Sequence, residues 1–458
     1  MTYLFLWQGA IFVRPERLTV AGRRVRTLVG LLVAVTVIAF VLALAVISGT
    51  LARPFSDAWA LRTTTVDRGA SLPDQLDQLL TGTEVSNSTT SAKVIDTLSG
   101  EVLFSRQSDR RLVPASTAKL LTSAAALSYL GPDYRFHTTV LVGGRRSGRT
   151  VHGNLYVRGT GDPTLTQEHI DTLAAAVEKA GITTVTGHLV ADDTAFDRTS
   201  TAPGWPTDPD STIDTAPISA LTTATDGTFD TASVAVSVKP SSSGEPAVVQ
   251  QHPDNTYLSI ENKAVTGDSG SPDTVTVQRP QGSRRIIVTG SFPESAEAET
   301  HLVSVDDPTA LAASVFRESF RRHNVTIRGT TVQAATPSTA TTIRDQSSIP
   351  LRELLVPWMK LSNNAHAELV TKAIGRKAGH GRGTWDNGLD QIDSSLTDLG
   401  VDTDDLHLVD GSGLSLDDRV TTSLVTALLQ KASQQPGSPT GTTPCRSRAP
   451  PVTSSVER

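Results

Sequence analysis

Two helix-rich stretches held apart by a long segment of β-like texture set the strongest constraint on how this chain can fold. From Tyr134 to about Ser338 the sequence runs in short strand-like pieces: His137 to Val142, Asn154 to Arg158, His188 to Ala191, Val234 to Val238 and Arg285 to Val288. Gly, Ser, Asp and Pro separate them, as expected where strands alternate with turns. Helical patterns are few there, chiefly Ile170 to Ala180 and Pro308 to His323. Before this segment, Leu120, Leu121, Ala124, Ala125, Leu127 and Leu130 mark a helix too apolar for a surface position, stopped by Gly131-Pro132. After Pro337 to Gln346 helices return at Leu351 to Met359, Asn364 to Ile374 and Trp385 to Leu399. The flanking pieces therefore have to meet in one domain around an inserted β-rich module or pair of modules.

The first helix opens with the most informative residues, Ser116-Thr117-Ala118-Lys119. Residues three apart share a helix face, so Lys119 can reach the Ser116 oxygen and, if neutral, take its proton. Pro114 favours an extended approach that leaves Ser116 near the helix N-terminus, where the macrodipole stabilises negative charge on oxygen. A lone Ser-x-x-Lys is common in a chain of 458 residues. Its companions must decide its meaning.

Two further motifs follow in order. Ser362-Asn363-Asn364 opens the helix Ala365-His366-Ala367-Glu368, and Asp410-Gly411-Ser412-Gly413-Leu414-Ser415 comes later. Together with Pro-Ala-Ser-x-x-Lys, this series resembles the D-alanyl-D-alanine carboxypeptidases/endopeptidases, the class C low-molecular-mass penicillin-binding proteins. Gly159-Thr160-Gly161-Asp162-Pro163-Thr164-Leu165-Thr166 is similar to a stretch of that family's insertion. So is Gly187 to Asp193, with Phe196-Asp197 and Gly204-Trp205 after it. The likeness spans roughly residues 84 to 436.

The resemblance implies an α/β (α+β) penicillin-binding/β-lactamase-like transpeptidase domain with one or more large β-rich inserted domains. It also implies a serine-type hydrolase that acts on peptidoglycan stem peptides ending in D-Ala-D-Ala and takes β-lactam antibiotics as inhibitors, with no cofactor. Ser116 would be the nucleophile, Lys119 its general base, Ser362 the proton relay and Asn364 the group orienting the substrate amide. The Ser116 N–H would supply half of an oxyanion hole. Asp410 to Ser415 reads as a tight structural turn in which Gly411 and Gly413 supply unusual backbone angles. His366 and Glu368, two apart on a helix, face different ways, so packing or surface roles are expected of them and no metal site. Two alternatives are a non-catalytic wall-binding pseudoenzyme and a β-lactamase. The latter fits worse, because the insertion matches the peptidases and no deacylating Glu is identifiable.

The family's third motif, Lys-Thr-Gly or His-Thr-Gly, is missing from the 458 residues. Pro439-Thr440-Gly441 has the Thr-Gly pair without the cation. From Gly437 the sequence turns to Pro, Thr, Ser and Arg with no apolar period and contains Cys445, the one cysteine. Residues 437–458 are read as an aberrant, disordered tail. A one-base-shifted back-translation of Gly441 to Ala449 can spell Tyr-Asp-Ser-Leu-Pro-Val-Ala-Gly, which resembles the family's continuation. A truncated or frameshifted C-terminus with impaired activity is the resulting expectation.

Composition narrows the remaining classes. With 38% hydrophobic and 19% charged residues the chain is globular, and 41 basic against 47 acidic residues offer no field for nucleic acid. Leu28 to Leu51 is uncharged and long enough to cross a bilayer. Arg14, Arg17, Arg23, Arg24 and Arg26 precede it, whereas Arg53 follows, so 1–27 is expected in the cytoplasm. Residues 28–51 form a single-pass anchor or a cleaved signal, 52–83 a stalk, 84–134 and 341–436 the two parts of the peptidase domain, and 135–340 the insertion. The catalytic region is expected outside the cytoplasm, membrane-bound or secreted.

Overall fold

The computed structural model describes residues 71–81, 88–97, 99–206, 212–379 and 381–435. The expected membrane segment 28–51, most of the stalk and the tail from 437 lie outside them. Among the described residues no helix is long and apolar enough to cross a membrane. The chain divides into two compact units between Ser108 and Asp109.

In the first unit, helix α1 (Leu72–Thr81) buries none of its residues. Strands β1 (Ala92–Ile95) and β2 (Val102–Arg106) pair antiparallel, Ala92 opposite Arg106 and Val94 opposite Phe104. Asp96 Oδ1 accepts the Ser99 N–H at 2.8 Å, and Gly100 has a φ of +76°. A short Asx turn thus closes the hairpin that the Ser99-Gly100 signal predicts.

The second unit begins its helical part with a 3-10 turn, Ala115–Thr117, that runs into α2 (Ala118–Tyr129). Ala118, Lys119, Leu121, Thr122, Ala125 and Ala126 are buried, at the spacing of one helical stripe. The approach is not the extended one expected from Pro114. Pro114 is itself in the helical region and Ala115 has a φ of +47°, so the kink falls one residue later.

The long central segment builds a mixed sheet. β3 (His137–Ser147) and β4 (Thr150–Gly159) form an antiparallel hairpin. Helix α3 (Gln167–Lys179) then leads to β5 (Thr184–Val185) and β6 (Leu189–Asp192), both parallel to β4. Next come β7 (Ser233–Lys239), β8 (Val248–His252), β9 (Ser259–Asn262), β10 (Val265–Gly267), β11 (Thr276–Gln278), β12 (Arg285–Thr289), β13 (Ser291–Pro293) and β14 (Glu299–Ser304). They make small sheets ordered β14-β7-β8, β11-β12-β9 and β10-β13. Helix α4 (Pro308–Arg322), capped by Asp307 with Pro308 in its first turn, returns the chain to the main sheet. There β15 (Thr326–Ile327) pairs with β5, β16 (Thr331–Gln333) with β6 and β17 (Thr341–Ser347) with β3. One apolar core, including Val140, Leu155, Val157, Leu189, Val236, Phe316 and Phe320, joins these strands to α3 and α4.

A separate core gathers α2 with α5 (Leu351–Leu361), α6 (Asn364–Gly379), α7 (Trp385–Asp398) and α8 (Thr422–Ser433). Leu121, Trp358, Val370, Ile392 and Leu424 are its buried centre. Residues from both ends of the chain segment thus share one interior. A third, smaller cluster puts Phe196, Ile218 and Ala220 of the central segment against Ala365, Leu369 and Trp385.

Beside that cluster a buried ion pair fastens the central segment to α6. Lys372 Nζ lies 2.5 Å from Asp197 Oδ1 and 2.5 Å from the Thr199 carbonyl, and 3.8 Å over the Trp385 ring. The lysine side chain has no exposure, whereas Asp197 retains 28%. Removing one partner of such a pair costs most when the group left behind cannot reach water. Asp197→Ala is therefore expected to lower unfolding stability by about 3 kcal/mol and Lys372→Met by distinctly less. Urea unfolding of both variants checks this, and equal losses would contradict it.

Candidate active site

Ser116 sits in the 3-10 turn with its side chain exposed, while Lys119, one turn on, is 1% exposed. The Lys119 Nζ is 3.0 Å from Ser116 Oγ, 2.7 Å from Asn364 Oδ1 and 2.9 Å from the Ser412 carbonyl oxygen. Ser362 Oγ lies 2.7 Å from Ser116 Oγ. All four residues expected at the site converge, drawn from α2, the α5–α6 junction and the head of α6.

Local backbone explains the convergence. Ser362 ends α5 in the left-handed region, φ +56°, with its N–H on the Trp358 carbonyl. Asn363 Oδ1 accepts the His366 N–H at 3.1 Å, capping α6. The sharp reversal turns Ser362 and Asn364 toward the same cleft. The Asn364 amide cannot be turned over without loss, because its Nδ2 donates to the Asp214 carbonyl at 3.0 Å. Its oxygen therefore faces Lys119.

Beneath the lysine, Asp410 to Ser415 form a turn whose N–H groups point inward to two carboxylates. Glu368 accepts from Gly411 N at 3.0 Å, from Ser412 N at 2.8 Å and from Trp385 Nε1 at 2.6 Å. Asp410 accepts from Gly413 N at 2.6 Å, Ser415 N at 2.8 Å and Trp205 Nε1 at 2.9 Å. The two indoles meet edge to face at 6.4 Å. With the N–H groups turned in, the carbonyls turn out: Gly411 O accepts from Thr122 Oγ1 at 2.7 Å and Ser412 O from Lys119.

Both glycines are needed here, for different reasons. Gly413 has a φ of +80°, and a Cβ there would lie 1.8 Å from the Ala115 carbonyl oxygen. Gly411 has no positive φ, contrary to the expectation of an unusual backbone angle. Its constraint is space, since a Cβ would lie 2.0 Å from Thr371 Oγ1.

Burial pushes the Lys119 amine down to about 8, against the opposing pull of Glu368, Asp410 and Asp214. Burial pushes the Glu368 carboxyl up to about 7, with Asp410 adding to the rise, and the Asp418 carboxyl up to about 8 in the same surroundings. His366 is buried with Nε2 2.8 Å from the Phe229 carbonyl, and burial brings its pKa down to about 4. His366 packs against the central segment, whereas Glu368 holds the turn beneath Lys119. The signal for Glu368 was a single acid inside the apolar run Ala365, Ala367, Leu369, Val370. Asp214 and Trp205 gave no sequence sign of touching the site.

Comparison with known proteins assigns the fold and the sequence to a class. By fold, the chain is similar to penicillin binding protein 4 (dacB) from Haemophilus influenzae, with a TM-score of 0.64 at 22% identity over 74% of each chain. The same protein complexed with a β-lactam gives a TM-score of 0.57 over 73% of each chain. The fold is thus the mixed α/β one of that class, with its β-rich domain. The sequence pattern of the D-Ala-D-Ala carboxypeptidase 3 (S13) family matches residues 72–440, and the chain belongs to this family of hydrolases. It is 41% identical over 372 residues to the D-alanyl-D-alanine carboxypeptidase of Actinomadura sp. strain R39, covering 81% of this chain and 69% of that one. It is 25% identical over 320 residues to D-alanyl-D-alanine carboxypeptidase DacB of Haemophilus influenzae, covering 70% and 66%.

The fit of Gly413 against Ala115 can be tested by comparison with Gly131, whose φ of +95° is as demanding but whose Cβ would meet nothing within 4 Å. Gly131→Ala is expected to cost about 1 kcal/mol, the backbone penalty alone. Gly413→Ala should cost about 3 kcal/mol or more, because backbone must also move. Chemical denaturation of the two variants measures the difference.

Proposed function

We propose that this chain cleaves the terminal D-Ala-D-Ala bond of peptidoglycan stem peptides through an acyl-enzyme on Ser116. The observation that carries the proposal is the set of partners around Lys119 Nζ. Two of its three neighbours, Asn364 Oδ1 and Ser412 O, are carbonyl oxygens that can only accept. A neutral amine has two N–H groups for these two acceptors, and its lone pair is left for the third neighbour, Ser116 Oγ. That is the arrangement a general base requires.

In the reaction, Ser116 Oγ attacks the carbonyl carbon of the penultimate D-Ala as its proton passes to Lys119. The carbonyl oxygen gathers negative charge beside the Ser116 N–H at the head of α2. Collapse breaks the C–N bond, and the proton reaches the departing amine through Ser362, which already touches Ser116. Water then attacks the ester, frees the peptide carboxylate and restores Ser116. Asn364 orients both Lys119 and the substrate amide. β-Lactams would acylate the same oxygen.

The family's Lys-Thr-Gly or His-Thr-Gly sequence is missing from these 458 residues, so turnover by a polypeptide of this sequence is expected to be weak. The same observation favours a second reading, a pseudoenzyme that binds wall polymer without cleaving it. The arginines before residues 28–51 support placing the site outside the cytoplasm, tethered by that segment or released after its cleavage.

Incubation with fluorescent penicillin, followed by mass spectrometry of peptides, tests the reading. A slow adduct on Ser116 is expected, absent in Ser116→Ala and formed about 10²-fold or more slowly in Lys119→Met. Wall binding with no adduct would favour the pseudoenzyme. The adduct should form faster as pH rises through about 8 and level off above it, because only the unprotonated Lys119 serves as base. A rate independent of pH from 6 to about 9 would count against Lys119 in that role.

A further inference from the structure

We propose that Glu368 is a positioning residue for this reaction, holding the 410–415 turn against α2 through the Gly411 and Ser412 N–H groups and placing a carboxylate under the amine. The inference rests on the acyl-transfer reading above. Glu368 touches neither serine, so it acts through the turn and through its field.

The geometry comes first. A peptide unit carries the N–H of one residue and the C=O of the residue before it on opposite sides, so holding the N–H groups of Gly411 and Ser412 inward fixes where the Asp410 and Gly411 carbonyls point. Glu368 holds both N–H groups, and Gly411 N spans its two oxygens at 3.2 and 3.0 Å. Trp385 Nε1 locks the carboxylate from the other side. Each contact is a donor aimed at an acceptor, which suits the ionised carboxylate. The Gly411 carbonyl so fixed accepts from Thr122 Oγ1 on α2, and the next peptide, whose Gly413 N–H is held by Asp410, turns the Ser412 carbonyl to Lys119; Ser412 thus links Glu368, through its N–H, to the amine, through its oxygen.

The charge follows from the same placement. Lys119 is faced by Glu368 from α6, Asp410 from the turn and Asp214 from the central segment. Glu368 is in turn faced by Asp410 and lies near Lys372, which is already paired with Asp197. Burial, then Asp410, pushes the Asp418 carboxyl up to about 8. Among the carboxylates acting on Lys119, Glu368 is the foremost. A residue that only satisfied backbone donors would leave the titration of Lys119 where it is.

The full chain labelled with [13Cε]lysine lets Lys119 be titrated by NMR without turnover, its resonance identified by its loss in Lys119→Arg. In Glu368→Gln the Lys119 midpoint is expected to move to lower pH by about one pH unit, and the acidic limb of penicillin acylation with it. The new amide NH₂ would face the Trp385 N–H, so Glu368→Gln combined with Trp385→Phe provides a second variant without that conflict. An unmoved Lys119 midpoint in whichever variant unfolds cooperatively overturns the proposal. Failure of the wild-type chain to form any Ser116 adduct is a different result. It overturns the acyl-transfer reading, and with it any role of Glu368 in that step.

Discussion

Everything at this site depends on an amine held out of water. Lys119 is 1% exposed, yet its Nζ meets three oxygens and lies above two carboxylates, so burial and charge act on it in opposite directions. Burial alone favours the neutral amine, and carboxylates alone favour the ammonium. A base useful near neutrality needs both effects in balance. The exposed neighbours, Ser116 and Ser362, carry no such compromise and sit where a substrate can reach them. The division is physical: the amine is buried, and the two hydroxyls beside it are exposed.

The central β-rich segment takes part in that balance. The Asp214 carbonyl fixes the Asn364 amide, Asp230 accepts from Asn363 Nδ2 at 2.9 Å, and the Phe229 carbonyl pairs with His366. Trp205 reaches Asp410, and Asp197 reaches Lys372. Polar contacts like these tie the segment to α6 and the turn, beside an apolar cluster that crosses the same boundary. Directional bonds of this kind define position more sharply than apolar packing, which tolerates sliding. The segment is therefore part of the scaffold of the site, whatever else its outer sheets contact.

How much of this was legible in the sequence varied with the range of the interactions. Ser116 and Lys119 were readable because their meeting depends only on helix geometry, three residues along one turn. Ser362 and Asn364 were readable through motif order. The helical patterns at 351–359, 364–374 and 385–399 and the strand-like runs at 137–142, 154–158 and 234–238 overlap observed helices and strands, whose ends the sequence pattern left short in most cases. Strands of two or three residues, such as β5, β15 and β16, carry too few side chains to show a period, and they exist because longer strands offer an edge. Helix α8 was missed although Leu424, Val425 and Leu428 share its buried face. Glu368 illustrates the deeper limit. Its spacing from His366 correctly separated the two side chains, but only the tertiary fold brings the N–H groups of a turn 43 and 44 residues away onto its carboxylate.

The turn at 410–415 shows why sequence grammar and structural reason can differ within one motif. Alternating glycines suggest backbone freedom, and Gly413 uses it, but Gly411 is there because Thr371 leaves no room for a Cβ. Asp410 looks like an ordinary turn-former, yet its carboxylate accepts N–H groups from three residues of its own turn and an indole from the central segment. A peptide loop whose N–H groups are gathered onto acids must present its carbonyls elsewhere, because each peptide unit has only two polar ends. Here they face α2, where Thr122 and Lys119 supply the donors. The acids thus organise the lysine without touching it: they orient a turn, and the turn's free carbonyl orients the amine.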